Sequence, residues 1–396
     1  MRHYSGTRKN NFLYIFQKHG SKDIYDLGLS PLQPEHFKVE IKQQLIDRLY
    51  GGMFMFDQEP VELLGFSLSE NHPKIKAKSQ NYTKDFSQLE LILNRLATVY
   101  TPIICHSERN SQDIRFLEKR GFITAHYWWH GLISRDWFRH WKHYVPAPST
   151  SNRLGCYIRD ITGTRAYRKN LLEFIKQEKN IYCPILDGKV YDSTASAMIE
   201  WEDTGKFDIH IAAETLFDTS KTHLTEKVLK PIAMEQPFIL FAGPNSLEYM
   251  RDYGFQTFSC CWDESYDSIQ NSAERFRMLT ELLLWINNLS DSKYQRMINK
   301  AKLIAKNNRE YFYSNRFEEI LLSEVDRNIT TAFALQQENF KTNPGGMFFQ
   351  VAEKYKKYDE DGPNLIKAQA AAIHKYLQNT DPSIAKQIAQ LYPDLV

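Results

Sequence analysis

The chain has 396 residues, of which 42% are hydrophobic and 25% are charged, and this composition excludes a mainly disordered protein. Its formal net charge of +2 at pH 7 provides no bulk electrostatic attraction to nucleic acid, although a local basic face stays compatible with that charge. The length exceeds that of one ordinary hydrophobic core and predicts two domains of roughly 150–200 residues each.

The cysteines and the distribution of apolar residues bear on the location of the protein. The five cysteines are an odd, scattered set without metal-ligand or redox spacing, which is typical of reduced thiols. The first residues are polar and lack the apolar core of a signal peptide, and no run approaches the about 18 apolar residues of a membrane helix. We therefore expect a cytoplasmic protein with no membrane span.

Residues 1–148 are predicted to form a Rossmann-like domain in which buried strands alternate with helices. Apolar runs at 51–56 and 102–105 indicate strands, and residues 112–120 have helical spacing. Asp57 and Glu59 follow the first run, and His106 and Glu108 follow the second. Open α/β sheets bind ligands at the carboxyl ends of their strands, where a carboxylate can act as a general base. Asp57 and Glu59 equally fit a helix cap that precedes a proline.

Residues 126–144 combine four tryptophans, four histidines and three basic residues with one acidic residue. Aromatic faces next to cations suit stacking on sugar rings or on bases. We therefore predict that Trp129, His130 and Arg135 bind an acceptor together with His106 and Glu108. The alternative is that the tryptophans are core residues and the cations solvate the opposite helix face. The histidine spacing lacks a neighbouring carboxylate ligand, so no metal site is predicted.

Residues 146–152 contain two prolines in a polar run, which is typical of a linker between domains. Residues 149–335 are predicted to form a second Rossmann-like domain that begins with a strand at 153–158. Arg159, Arg165 and Arg168 follow this strand, around the start of a helix at 166–177. Cations are unfavourable at a helix start unless an anion compensates, so the arginines favour a diphosphate site over a solvated basic surface.

The stretch 222–231 follows an apolar run at 207–213, which is predicted to deliver Glu214 to the same edge. Thr225 is placed to cap a helix that begins with Glu226, and Lys227 and Lys230 lie three residues apart. The carboxylate suits ribose hydroxyls and the lysines suit a diphosphate, although a capped helix with ordinary surface lysines has the same pattern. Pro231 predicts that this helix is short or kinked.

Thr225-Glu226-Lys227, preceded by a strand and followed by a second apolar strand at 238–243, resembles the donor-binding signature of the α1,3-fucosyltransferase family. These are inverting glycosyltransferases of the GT-B fold. The segment 56–60 is similar to the strand end that carries the base of that family, which aligns the base with Glu59. Ala213-Glu214-Thr215 replaces the Glu-Asn-Ser of the family, so the resemblance does not fix the sugar or the base. Glycosyltransferases carried by bacteriophages have similar Thr-Glu-Lys segments.

The resemblance implies an α/β, GT-B fold with two Rossmann-like domains facing a cleft and with C-terminal helices. Residues 336–396 are expected to form a helical extension that docks on the domains. The implied activity is transfer of a sugar from a nucleotide-diphosphate sugar to a hydroxyl acceptor, with Glu59, or else Asp57, as the base and no metal ion. One alternative is a bacteriophage glycosyltransferase that acts on a hydroxymethylated DNA base. The other is a non-catalytic protein that binds nucleotide sugars.

Overall fold

A computed structural model describes residues 24–26, 53–56, 103–119, 123–143, 152–189, 205–342, 371, 374–375, 377–391 and 393. The described chain is α/β, with two parallel four-stranded sheets. The first sheet has the order β1-β2-β3-β4. Its strands are β1 (Ile24–Asp26), β2 (Met53–Phe56), β3 (Ile103–His106) and β4 (Ile123–His126). The strands predicted from the apolar runs at 51–56 and 102–105 are confirmed.

The register of the first sheet aligns the carboxyl ends of three strands. Phe56 is opposite His106, and His106 is opposite His126. Two helices follow these strands, α1 (Gln112–Lys119) and α2 (Trp129–Trp137). The last residues of β3 and β4 and the start of α2 therefore lie at one edge of this sheet, where a parallel sheet presents its ligand-binding loops.

The second sheet has the order β6-β5-β7-β8. Its strands are β5 (Asn152–Cys156), β6 (Ile181–Tyr182), β7 (Phe207–Ala213) and β8 (Phe238–Phe241). Because β6 lies on one side of β5 and β7 lies on the other, the direction of chain progression reverses between β5 and β7. Such a reversal opens a crevice outside the carboxyl ends of the two strands. The loops after Cys156 and Ala213 border this crevice.

Seven further helices lie within the described residues. They are α3 (Tyr167–Gln177), α4 (Glu226–Ala233), α5 (Ser246–Asp252), α6 (Ser272–Asn288), α7 (Asp291–Phe312), α8 (Asn315–Thr342) and α9 (Pro382–Leu391). Val325 and Ile329 of α8 are fully buried in the same core as Ile103 of β3. The predicted boundary after residue 335 lies inside α8. None of the helices within the described ranges is long and apolar enough to cross a membrane.

Phe255 and Phe258 predict a short strand at 255–258, but the structure contains no strand there. Phe255 and Phe258 are buried, as expected for a strand, but the backbone between them forms no ladder. The side chain of Asn308 in α7 takes the place of a neighbouring strand. Its Oδ1 accepts from the backbone N–H of Gln256 at 2.8 Å, and its Nδ2 donates to the carbonyl of Gln256 at 2.8 Å. The apolar residues therefore indicated the burial here correctly, but not the hydrogen-bond partner.

A buried ionic cluster joins the part of the chain around the first sheet to the part around the second. The ammonium group of Lys221, in the loop between β7 and α4, contacts the carboxylates of Glu108 and Asp113. All three side chains are almost completely buried. Beside this cluster, Arg109 and Thr222 exchange two backbone hydrogen bonds of 2.8 Å. Buried charges of this kind are tolerated only when they are paired, so the cluster fixes the relative position of the two loops.

Replacing Lys221 with Met is expected to lower the free energy of unfolding by about 3–5 kcal/mol, because it leaves two carboxylates buried without their cation. Urea denaturation measures this loss. The exposed Lys169 on α3 offers a matched control, and Lys169→Met should change the free energy by less than about 0.5 kcal/mol. Adding Glu108→Gln and Asp113→Asn to Lys221→Met should restore part of the stability, and a further loss would contradict the ionic explanation.

Candidate functional site

The start of α4 is fixed at the carboxyl end of β7 by two side chains. Thr225 has an extended backbone, and its Oγ1 accepts from the N–H of Lys227 at 3.4 Å, so the predicted cap is confirmed. The carboxylate of Glu214 accepts from Oγ1 of Thr225 at 2.6 Å and from its N–H at 3.2 Å. The helix has eight residues with Pro231 in its second half, as the proline predicted. Its positive end thus faces the crevice of the second sheet.

Glu214 and Arg168, which were predicted to contact the donor, have structural positions instead. Glu214 is fully buried, both of its oxygens bind Thr225, and burial raises the pKa of its carboxyl group. Arg168 is buried and donates to the carbonyls of Asp160, Ala213 and Glu214 at 2.7–3.0 Å. These contacts tie the loop after β5 to the end of β7. Direct contact of either residue with the donor stays a prediction.

Four cationic side chains of the predicted donor set remain at least partly exposed. Arg159 is exposed, and Arg165, Lys227 and Lys230 are partly exposed. The guanidinium of Arg165 lies 3.5 Å from a carboxylate oxygen of Asp160, in a loop whose turn uses Gly163 at a positive φ of 67°. Arg159 and Arg165 lie in the loop after β5, and Lys227 lies at the start of α4. Both segments border the same crevice, so positive charge is concentrated at the carboxyl edge of the second sheet.

Glu226 is an ionised carboxylate in a buried position. Its Oε1 lies 2.9 Å from Nζ of Lys227, and its Oε2 lies 3.8 Å from Nε2 of His130. Burial alone would raise the pKa of this carboxyl group, but Lys227, followed by His130 and Lys230, lowers it below its ordinary value. The site therefore offers a fixed negative group next to the positive helix end.

His130 was predicted to bind an acceptor, and the structure places it against the predicted donor residues. It comes from α2 and faces His223 at 5.2 Å between ring centroids, with an interplanar angle of 87°. Both side chains are buried, with 3% exposure each. His223 was missed because it lies in a loop without periodicity, and only its position two residues before the cap Thr225 distinguishes it.

Two other predicted acceptor residues line a cleft of about 430 Å³ at the carboxyl edge of the first sheet. The Nδ1 atom of His106 accepts from the N–H of Glu108 at 3.3 Å. Burial, with a further contribution from His126, lowers the pKa of His106 to about 3. Glu108 is buried and engaged with Lys221. The cleft thus holds His106 as a neutral ring beside a paired carboxylate.

Sequence reasoning missed a second histidine of this cleft and its partner. The Nδ1 atom of His126 lies 3.3 Å from the carboxylate of Glu324 in α8. That carboxylate also accepts from the hydroxyl of Tyr253 at 2.6 Å and from the N–H of Trp128 at 3.2 Å. His126 ends a strand in register with His106, and its position at a strand end could have identified it as a residue of this cleft. The role of Glu324 depends on the tertiary packing of α8 and left no signal in the sequence.

Trp129 and Arg135 are core residues, so their predicted acceptor contacts are corrected. Trp129 is buried against His130 and Trp137, at centroid distances of 4.8 and 6.0 Å. Arg135 is buried, donates to the carbonyls of Phe312 and Ser314, and pairs with Glu318 at 2.8 Å. The alternative interpretation of residues 126–144, with tryptophans in the core and cations in solvent, therefore describes Trp129 but not the buried Arg135.

The predicted bases Asp57 and Glu59 lie outside the described residues. The description of that strand ends at Phe56, opposite His106. Across the described ranges, no group of three or more His, Cys, Asp or Glu side chains is arranged to hold a metal ion. Comparison of the chain with protein-family models, with curated proteins and with solved structures finds no match in any of the three.

The buried histidines predict how stability depends on pH. Burial lowers the pKa of His106 to about 3, of His130 to about 4 and of His210 to about 3, while an unfolded histidine titrates near about 6.5. Between those values the unfolded chain binds more protons, so the free energy of unfolding is highest above about pH 6.5 and decreases as the pH falls toward 4. Each histidine should contribute about 1.4 kcal/mol per pH unit in this window.

Urea denaturation at several pH values measures this slope. His210 is a suitable probe because it lies in β7, before the predicted donor residues, with a hydrogen bond to Gln236. His210→Gln should lower the slope of the free energy of unfolding against pH by the contribution of one histidine. An unchanged slope in this variant would mean that His210 is protonated in the folded chain.

Proposed function

We propose that this chain is an inverting glycosyltransferase of the GT-B type that transfers a sugar from a nucleotide-diphosphate sugar to a hydroxyl acceptor. The observation that carries the proposal is the position of the Thr225-Glu226-Lys227 helix start. It lies beside the carboxyl ends of β5 and β7, where the strand order of the second sheet reverses. Open α/β sheets bind nucleotides in the crevice at such a reversal.

The charge of this edge supports a diphosphate as the anionic part of the donor. The positive end of the α4 dipole attracts anions. Lys227 is accessible there, with 28% of its side chain exposed. Arg159 and Arg165, in the loop after β5, add guanidinium groups that can bind phosphate oxygens in pairs. Lys230, one turn further along α4, is a fourth cation of this edge.

Glu226 supports a ribose next to the diphosphate. Its carboxylate is ionised and is therefore a pure hydrogen-bond acceptor, which suits the two adjacent hydroxyl groups of a ribose. Its contacts with Lys227 and His130 hold it in place before a ligand arrives. A preorganised acceptor of this kind loses little conformational freedom when it binds.

The arrangement of the two parallel sheets supports the GT-B assignment. Each sheet presents polar residues at its carboxyl edge, around His106 in the first and around Glu226 in the second. The helix α8 follows the second sheet in sequence and packs on the first, as C-terminal helices of GT-B enzymes do. We infer that the donor binds to the second edge and the acceptor to the first.

The proposed reaction is a single displacement at the anomeric carbon of the donor. The acceptor oxygen forms a bond to that carbon while the bond to the diphosphate oxygen breaks, which inverts the configuration. The hydroxyl proton passes to a carboxylate, for which the resemblance indicates Glu59 and, as second choice, Asp57. Lys227, Lys230, Arg159 and Arg165 are placed to stabilise the negative charge that develops on the departing diphosphate.

The two alternatives receive different support. The DNA-modifying alternative depended on residues 126–144 as a basic aromatic face. In that stretch Trp128, Trp129 and Arg135 are buried and held by the core, so they cannot stack on a nucleic acid strand. The non-catalytic alternative has the same donor site and differs only in turnover. Release of nucleotide diphosphate without an added acceptor distinguishes it, because glycosyltransferases also transfer slowly to water.

A thermal-shift screen of nucleotide-diphosphate sugars tests donor binding, and at least one should raise the melting temperature of the full chain. Lys227→Ala should weaken binding of that donor by about 10–100-fold, since a charge-assisted contact contributes about 1.5–3 kcal/mol. Lys169→Ala, at an exposed position of α3, is the matched control and should bind normally. No shift with any nucleotide sugar would refute the donor site.

Glu59→Gln should lower kcat by about 10²–10⁴-fold, because general base catalysis contributes on that scale. Its affinity for the donor should stay unchanged, since the base contacts the acceptor. Release of nucleotide diphosphate measures turnover, and calorimetric titration measures donor affinity. Asp57→Asn is the paired variant, and a larger loss of kcat in Asp57→Asn would transfer the base role to Asp57.

A further inference from the structure

Two buried histidines, one from the part of the chain around each sheet, contact each other beside the start of α4. His130 projects from α2, which follows the first sheet, and His223 lies in the loop that leads into α4 of the second. Their rings are perpendicular at 5.2 Å, and each side chain is only 3% exposed. Glu226 adjoins the pair through the 3.8 Å approach of its Oε2 to Nε2 of His130.

Three of the four ring nitrogens in this pair have no hydrogen-bond partner within the described part of the chain. They are Nδ1 of His130 and both nitrogens of His223. A buried polar atom that loses its bond to water without a replacement destabilises the folded state, and such atoms are rare in native proteins. Three of them in one place indicate a polar partner beyond the described residues, and ordered water and a ligand are the candidates.

The protonation state of the pair defines the chemistry of that partner. Burial lowers the pKa of His130 to about 4, although Glu226 acts in the opposite direction. Burial, with the charges of His130 and Lys221, lowers the pKa of His223 well below its ordinary value. At neutral pH each ring is therefore uncharged, with one N–H donor and one acceptor nitrogen. A hydroxyl group is also both donor and acceptor, whereas a diphosphate at neutral pH offers acceptors alone.

We propose that His130 and His223 form a clamp for the hydroxyl groups of a sugar ring, beside Glu226 and more deeply buried than the cations that bind the diphosphate. This inference rests on the proposed function, and it divides the donor site into two parts of different chemistry. The cationic part, with Lys227 and Arg165, binds phosphate oxygens. The histidine clamp binds a neutral polyhydroxylated ring, which is either the ribose or the transferred sugar.

The backbone around His223 is held on both sides, as a selective contact requires. Thr222 exchanges two backbone hydrogen bonds of 2.8 Å with Arg109. The carbonyl of Leu224 accepts from Nε1 of Trp128 at 3.0 Å. His223 therefore has little freedom to move away from His130, and a preorganised pair discriminates better between ligands than a mobile one. Since the two rings come from different parts of the chain, a hydroxyl group bound at this pair would contact both parts.

Calorimetric titration of the full chain with three classes of probe tests the clamp. The probes are inorganic pyrophosphate, the ribonucleoside diphosphates UDP and GDP, and the nucleotide sugars UDP-glucose, UDP-galactose, GDP-mannose and GDP-fucose. The variants His130→Phe and His223→Phe keep ring volume and remove the ring nitrogens. His210→Phe is the control, because His210 is equally buried but lies within β7.

Each clamp variant should bind the best nucleotide sugar about tenfold more weakly than the wild type, while pyrophosphate affinity stays within about twofold. His210→Phe should leave both affinities unchanged. A loss already present with UDP or GDP assigns the clamp to the ribose, and a loss that requires the nucleotide sugar assigns it to the transferred sugar. An equal loss for pyrophosphate and nucleotide sugar, or no loss for either, would overturn the clamp and leave ordered water as the partner.

The failure of this inference differs from the failure of the proposed function. A wild-type chain that binds no nucleotide and no nucleotide sugar refutes the proposed function itself. A wild-type chain that binds them, with clamp variants that bind equally well, refutes the clamp alone. If either phenylalanine variant does not fold, the ¹⁵N signals of the imidazoles in the wild type provide the second measurement. The signals of His130 and His223 should shift with nucleotide sugar and not with pyrophosphate, and the opposite pattern would overturn the clamp.

Discussion

The buried contact of Lys221 with Glu108 and Asp113 is the interaction on which the composition of the candidate site depends. A lysine ammonium group in the interior requires paired carboxylates, and here both carboxylates come from the loop and helix after β3. The loop before α4 is therefore held against the first sheet, and the backbone pairing of Thr222 with Arg109 continues that contact. His223, the next residue, consequently lies beside α2 rather than in solvent, and the two sheets contribute to one site.

The charged groups of the site differ in how deeply they are buried. Glu226 and the histidines lie in the interior, where Glu226 stays ionised because Lys227 is 2.9 Å away and the histidines stay neutral because they are desolvated. The cations with exposed surface lie further out, at the loop after β5 and on α4. Water weakens the attraction between an exposed cation and a phosphate, but the charge of a diphosphate would offset this weakening in the proposed donor site. A neutral sugar has no such charge, so it gains most from hydrogen bonds in the desolvated part.

Features of the site that arise within a few residues could be predicted from the sequence, and features that depend on distant partners could not. Thr225 caps α4 because its own hydroxyl reaches the N–H two residues later, and Pro231 limits the helix through its own ring. The buried strands followed from apolar runs. By contrast, the sequence around Arg135 is compatible with a solvated helix face until Phe312, Ser314 and Glu318 are brought to it by α7 and α8. Asn308 is a second example, because α7 brings its side chain to the backbone of Gln256, where a neighbouring strand would otherwise form the hydrogen bonds.

Arg165 and Arg168 demonstrate why an arginine cluster near a helix start does not by itself identify the ligand contacts. The two residues are three positions apart, yet Arg168 points to the end of β7 and satisfies carbonyl groups there, while Arg165 stays partly exposed beside Asp160. Carbonyls at the carboxyl ends of parallel strands need donors just as a diphosphate does, and they compete for the same guanidinium groups. An arginine that binds them has fewer N–H donors left for a ligand, and it fixes the edge on which the other cations stand. We therefore expect the buried arginine and Glu214 to shape the proposed donor site, and the cations with exposed surface to contribute to its affinity.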